Sequence, residues 1–208
     1  MHNTPQVEQH PLKTIFRMNK GIDIIPFYEN DGTQNFSDRY MAQVFRRIVR
    51  EETIYKVFYD GSVRNTTDFI EFFRDKGIEM FFVEFNGKEA GFFWINKFKN
   101  KSAFINYCYY RDFWGGDSLE ISKLTIEFIF GRKNLHGEHL VDVLLGLTPA
   151  NNKLAIQFLL KNGMTIIGKV PGMLYDSGEG INVDGIFSYK QRNPQSSLAK
   201  ITSFLFFN

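Results

Sequence analysis

Between Val143 and Met164 the chain reads VLLGLTPANNKLAIQFLLKNGM. Leu144, Leu145 and Leu147 form a short apolar run of the kind that makes a buried strand, and Pro149 breaks it. Asn151 or Asn152 then offers an N-cap to a helix whose apolar positions are Leu154, Ala155, Phe158 and Leu159, and Asn162-Gly163 closes that helix. Upstream, residues 22–27 read as a strand. Phe36, Tyr40, Met41, Val44, Phe45 and Ile48 follow at helical spacing over 36–49, with Arg46, Arg47 and Arg50 on the solvated side. Asn65-Thr66-Thr67-Asp68 caps a second helix carrying Phe69, Ile70, Phe72 and Phe73, which ends near Gly77. Residues 79–85 and 89–95 alternate as strands around Asn86-Gly87, a strong hairpin signal, so they pair antiparallel. A third strand spans 103–110. Leu119, Ile121, Leu124, Ile126, Ile129 and Phe130 return to helical spacing and stop at Gly131. Beyond the strand-helix unit, 165–170 and 186–189 are strands around a loop with Gly172, Gly178 and Gly180.

The ends differ in character. Residues 1–20 are polar with Pro5 and Pro11 and read as an N-terminal arm; 21–192 make one domain; 193–208 form an apolar tail with Leu198, Ile201, Phe204 and Leu205 at helical intervals. A chain of 208 residues suits one well-buried domain. The 23 Phe against 2 Trp point to a core built on phenylalanine. Net charge is only +2, which gives no field for nucleic acid or an anionic membrane. Cys108 has no cysteine to pair with, the first twenty residues lack an apolar signal core, and no run approaches the ~20 apolar residues of a membrane span. The expectation is a cytoplasmic protein.

Asn152, Ala155, Ile156, Phe158, Gly163 and Met164 stand where the GNAT superfamily of N-acetyltransferases carries Asn-x-x-Ala-Ile-x-Leu-Tyr-x-x-x-Gly-Phe, and the flanking strands fit too. The chain resembles that superfamily over roughly residues 79–190. Asp184 and Tyr189 are similar to the Asp-x-x-x-Tyr of ribosomal-protein-type members. The resemblance implies an α+β fold of the GNAT type: a mixed, mostly antiparallel sheet flanked by helices, splayed where the parallel strands 103–110 and 143–147 diverge. It implies acetyl-CoA as co-substrate, bound in that splay, and an amine acceptor entering between helix 36–49 and the loop 171–185.

GNAT enzymes hold the CoA pyrophosphate on Gln/Arg-x-x-Gly-x-Gly/Ala, where backbone N–H groups and a helix N-terminus face the phosphates. The matching stretch here is YYRDFWGGDSLEIS. Either Asp112, Gly115, Gly116 and Asp117 take those positions, or Arg111, Trp114 and Gly116 do. Tyr109, Arg111, Trp114, Gly115, Gly116, Asp117, Asn152 and Ala155 are the cofactor-binding candidates on this resemblance. Asp117-Ser118-Leu119-Glu120 also has the form of a capping box, with Asp117 covering the N–H groups that would hold an anion. The Tyr that protonates the leaving thiolate in many members falls at Leu159. Tyr175 is the candidate acid and Glu84 the candidate base. Two functions fit: an acetyl-CoA-dependent N-acetyltransferase, or a GNAT-fold binding or structural protein without transfer. His136-Gly-Glu-His139 lacks a third ligand motif, so no metal is expected. A mid-strand Cys108 reads as buried and inert. The 196–208 stripe allows a homodimer.

Overall fold

The computed structural model describes residues 6–10, 13–30 and 33–193. The tail is outside the described residues from 194 on, as are residues 1–5 of the arm. Strands β1 (Gln6–His10) and β2 (Lys13–Arg17) pair antiparallel, and β2 pairs with β3 (Ile22–Pro26). The arm thus supplies two strands where an irregular lead-in was expected. Ile15 and Phe16 on β2 pack against the core, which gives the hairpin an apolar anchor. Short strands β4 (Glu29–Asn30) and β5 (Thr33–Gln34) precede helix α1 (Asp38–Arg50), whose cap is Ser37. Helices α2 (Ile54–Val57) and α3 (Thr66–Arg74) follow, and Asn65 caps α3 by accepting from the Asp68 amide at 3.0 Å.

Strands β6 (Ile78–Phe85) and β7 (Lys88–Lys99) form the hairpin announced by Asn86-Gly87, both in the left-handed region at φ 51 and 73. That is the conformation a type I′ turn demands. Then come β8 (Ser102–Tyr109), α4 (Gly116–Gly131), β9 (Val143–Pro149), α5 (Lys153–Lys161), β10 (Thr165–Asp176) and β11 (Ile181–Gln191). The last two are one long hairpin. The loop expected between 170 and 186 is largely strand, because a register shift between Val170 and Leu174 absorbs Pro171 and Gly172.

The main sheet has the order β1-β2-β3-β6-β7-β8-β9-β11-β10 and is antiparallel except between β8 and β9. Alternation along β6 and β7 sends aromatic side chains to both faces. On one, Phe82, Phe92 and Trp94 meet Phe58, Phe69 and Phe73 from α2 and α3 and the segments around them. On the other, Phe81 and Phe93 stack at 4.9 Å, with Phe128 of α4 against Phe81. Phenylalanine builds the core on both sides. Among the described residues no helix is long and apolar enough to cross a membrane.

Candidate functional site

Among the described residues one strand pair is parallel, and it sets the site. β8 and β9 are in register only at Ser102–Val143, Ala103–Leu144 and Phe104–Leu145. Beyond Phe104 the ladder stops and the two strands splay, leaving the β9-facing backbone of residues 105–109 free of sheet partners on that side. Gly91 holds the other side of β8 in place. Its φ is 139, and a Cβ there would lie 2.2 Å from the Cys108 carbonyl oxygen, so only glycine lets β7 approach so closely.

A cavity of about 280 Å³ fills the splay. Tyr107, Cys108 and Tyr109 of β8 line it, with Trp114 and Gly115 at one end and Asn152, Ala155 and Phe158 of α5 along one wall; Thr53, Lys56 and Val57 lean in from α2. Five of the eight sequence candidates for cofactor binding therefore meet in one cavity: Tyr109, Trp114, Gly115, Asn152 and Ala155. Asn152 caps α5 through its Oδ1, which accepts from the Ala155 amide at 3.1 Å. Its amide NH2 makes no hydrogen bond among the described residues and remains a donor for a ligand.

The loop corrects the expected capping box. Helix α4 begins at Gly116, its N-cap is Gly115 with φ 97 and ψ −124, and no side chain caps it. Asp117 lies inside the first turn. Glycine at 115 reverses the chain earlier than a carboxylate cap would, and the N–H groups of the first turn stay available for an anion. Arg111 is differently occupied: its N–H donates to the Glu51 carboxylate at 2.8 Å and its guanidinium pairs with Glu52 at 3.4 Å. Trp114 donates its indole N–H to the Tyr109 carbonyl at 2.7 Å, and Lys56 sits 5.4 Å from its ring centre. The indole thus takes the last β8 carbonyl before the loop.

Behind the loop lies a charged network that helical periodicity assigned to solvent. Arg47 places its guanidinium 3.5 Å from the centre of the Tyr110 ring, donates to Glu51 at 2.8 Å and reaches Asp112 at 3.5 Å. Tyr110 donates to one oxygen of Glu89, and Tyr40 donates to the other at 2.5 Å. Burial, together with the Glu89 charge, holds both phenols well above their ordinary range. Cys108 is 2% exposed, and burial pushes its thiol up, which makes it a poor nucleophile.

Glu84 and Tyr175 fall outside the splay. Glu84 lies opposite a bulge in β7 at Ala90 and lines a separate cavity with Tyr40, Phe36 and Glu89. Tyr175 stands 52% exposed on β10. A third cavity, about 660 Å³, lies between Val49, Glu52 and α2 on one side and the Ser177 turn of the β10–β11 hairpin on the other. Only α2 separates it from the splay. Thr53 and Val57 line the splay, whereas their neighbours Glu52, Ile54 and Phe58 line the third cavity. The hairpin tip is tied down by Ser177 N–H to the Tyr59 carbonyl at 2.7 Å and by Asn151 to Asp176 at 2.9 Å. Hydrophobic periodicity did not mark this cavity, whose walls come from segments more than a hundred residues apart, but it lies between helix 36–49 and the segment 171–185, where the family resemblance put the acceptor's entry.

No family model and no curated protein matches the sequence. Solved structures do match the fold. An acetyltransferase of Salmonella typhimurium that modifies the N-terminal serine of a 50S ribosomal subunit protein aligns at TM-score 0.65 and 13% identity, over 86% of this chain and 99% of that one. The chain has the fold of the GNAT acetyltransferases. A microcin C7 self-immunity acetyltransferase, in complex with acetyl-CoA and AMP, aligns at TM-score 0.59 and 18% identity over 84% and 94% of the two chains. Spermidine N-acetyltransferase of Vibrio cholerae, in complex with CoA and spermine, gives 0.62 and 13% over 83% and 96%. In this GNAT fold the parallel pair β8–β9 stands between the β6–β7–β8 meander and the β10–β11 hairpin.

Proposed function

We propose that the protein is an acetyl-CoA-dependent N-acetyltransferase that acylates an amine. The observation that carries this is the uncapped start of α4 at the end of a splay between β8 and β9. A helix N-terminus with free N–H groups suits a pyrophosphate, and an unpaired strand edge suits the amides of a pantetheine arm. Similar structures with CoA or acetyl-CoA bound support the same reading.

Acetyl-CoA supplies the activated acyl group as a thioester. The N–H groups of residues 116–118 hold its pyrophosphate, with Lys56 and Lys161 adding positive charge on the cavity wall. The Asn152 amide and the free edge of β8 orient the arm. A strand N–H directed at the thioester oxygen stabilises the charge that develops there, and proximity provides much of the remaining rate. The amine arrives through the third cavity, between the end of α1 and the β10–β11 hairpin. With Asp117 inside the helix and not capping it, that residue gives no support to a GNAT-fold binding protein without transfer.

The test is unfolding of the full chain with and without acetyl-CoA, beside an assay of free CoA thiol with an amine present. At a hundred times its dissociation constant acetyl-CoA is expected to stabilise the fold by ~2.7 kcal/mol. No stabilisation at millimolar acetyl-CoA would remove this function.

A further inference from the structure

The third cavity carries charge of both signs around an apolar floor. Ile54, Phe58 and Val63 form the floor and are each less than a tenth exposed. Glu52 stands on one wall. Its backbone has φ 54, a conformation that non-glycine residues rarely adopt and that is retained where the surrounding structure imposes it. Its carboxylate is 84% exposed and is engaged only by the 3.4 Å pair with Arg111 among the described residues. Arg64 stands on the Gly61–Arg64 turn. It spends Nε on the Gly61 carbonyl at 3.0 Å and forms no ion pair among the described residues, so its terminal nitrogens remain to be used. Ser177 lines the same cavity with a buried hydroxyl that has no partner among the described residues.

We infer that this cavity selects an acceptor bearing an amine at one end of an apolar body and a carboxylate at the other, the amine at Glu52 and the carboxylate at Arg64. The inference rests on the transferase reading and names its substrate class. A planar guanidinium with free N–H groups is the side chain best matched to a carboxylate, and an exposed carboxylate beside the route to the splay suits an ammonium group. In the transfer, the ammonium first gives up a proton to solvent. The amine nitrogen attacks the thioester carbon, the C–N bond forms as the C–S bond breaks, and the second amine proton leaves with the CoA thiolate as CoA thiol. A simple alkylamine would reach the same place without the second anchor, and binding should suffer accordingly.

The probes are 6-aminohexanoate and hexylamine, which differ only by the carboxylate. The measurement is kcat/KM for each with acetyl-CoA, in the parent, Arg64→Gln and Arg64→Lys, each checked for an unchanged unfolding midpoint. The parent is expected to prefer 6-aminohexanoate by about tenfold or more, the size of one charge-assisted hydrogen bond. Arg64→Gln should bring the ratio close to one, and Arg64→Lys should restore part of it. Equal use of both amines by the parent, or a preference that survives Arg64→Gln, overturns the inference. Stabilisation by acetyl-CoA with neither amine acylated also overturns it and leaves the CoA site standing. Absence of any stabilisation by acetyl-CoA removes both.

Discussion

Gly115 holds φ 97 and ψ −124, and a Cβ placed on it would meet nothing within 4 Å. Space is therefore free, and backbone conformation alone demands glycine there. Its neighbour two positions on carries the opposite kind of information. Asp117 sits in the first turn of α4, where a negative charge stabilises the helix by ~0.3–1 kcal/mol through the helix dipole. A bound pyrophosphate would compete for that same field. Asp117→Asn is accordingly expected to move two quantities in opposite directions. The unfolding free energy should fall by ~0.3–1 kcal/mol, and the affinity for acetyl-CoA should rise by roughly two- to fivefold. Denaturant unfolding and calorimetric titration, both at low salt, read the two numbers. A loss of stability together with a loss of affinity would mean that the carboxylate does not face the phosphate.

Strands β7 and β8 are pressed together at one point, where a Cβ on Gly91 would come within 2.2 Å of the Cys108 oxygen and 2.8 Å of the Tyr109 Cα. Both are backbone atoms of a central strand, and neither has room to yield. Gly91→Ala adds the clash to a disfavoured φ of 139, and together these should cost about 3 kcal/mol or more. The midpoint of urea unfolding checks it; a shift below about 1 kcal/mol would show that β8 can move, and with it the splay. No sequence pattern announces such a contact, since Gly91 looks like any glycine in a strand. Other elements were legible because their cause is local. Asn86-Gly87 needs only its own two left-handed residues, and the Asn152 cap needs only the amide three positions later. The strand-helix unit at 143–164 carried the fold, and five of its and the loop's cofactor candidates converged. The start of α4 was misplaced because Asp117 is a good cap by composition, whereas the choice was made by the dihedral angles of Gly115. Arg47 was assigned to solvent because helical spacing says nothing of Tyr110, which arrives just past the end of β8, far along the chain.

At the scale of the whole molecule, five tyrosines among the described residues are held neutral beyond their ordinary range. Tyr40, Tyr107, Tyr109 and Tyr110 are raised chiefly by burial, and Tyr59 is pushed up to about 12 by burial and by the neighbouring Asp60. An unfolded tyrosine ionises near pH ~10. Above that pH the unfolded chain loses phenol protons that the folded chain keeps, so it binds fewer protons and stability falls as pH rises. The stabilisation is complete below pH ~10. Tyr59 finishes its loss near pH 12, whereas Tyr40 and Tyr110, both bound to Glu89, continue to lose theirs at higher pH. Each engaged group contributes a slope of up to ~1.4 kcal/mol per pH unit. A variant must isolate the phenols. Tyr110→Phe does so. At neutral pH it should cost ~1.5–3 kcal/mol, the worth of a hydrogen bond to a charged acceptor, because Glu89 loses one of its two donors. Above pH ~10 its stability should decline less steeply than that of the parent, and the two curves should converge. Urea midpoints measured in steps from pH ~8 to ~11.5 decide the matter: parallel curves would show that Tyr110 titrates as an ordinary surface phenol and that the Glu89 network is open to water.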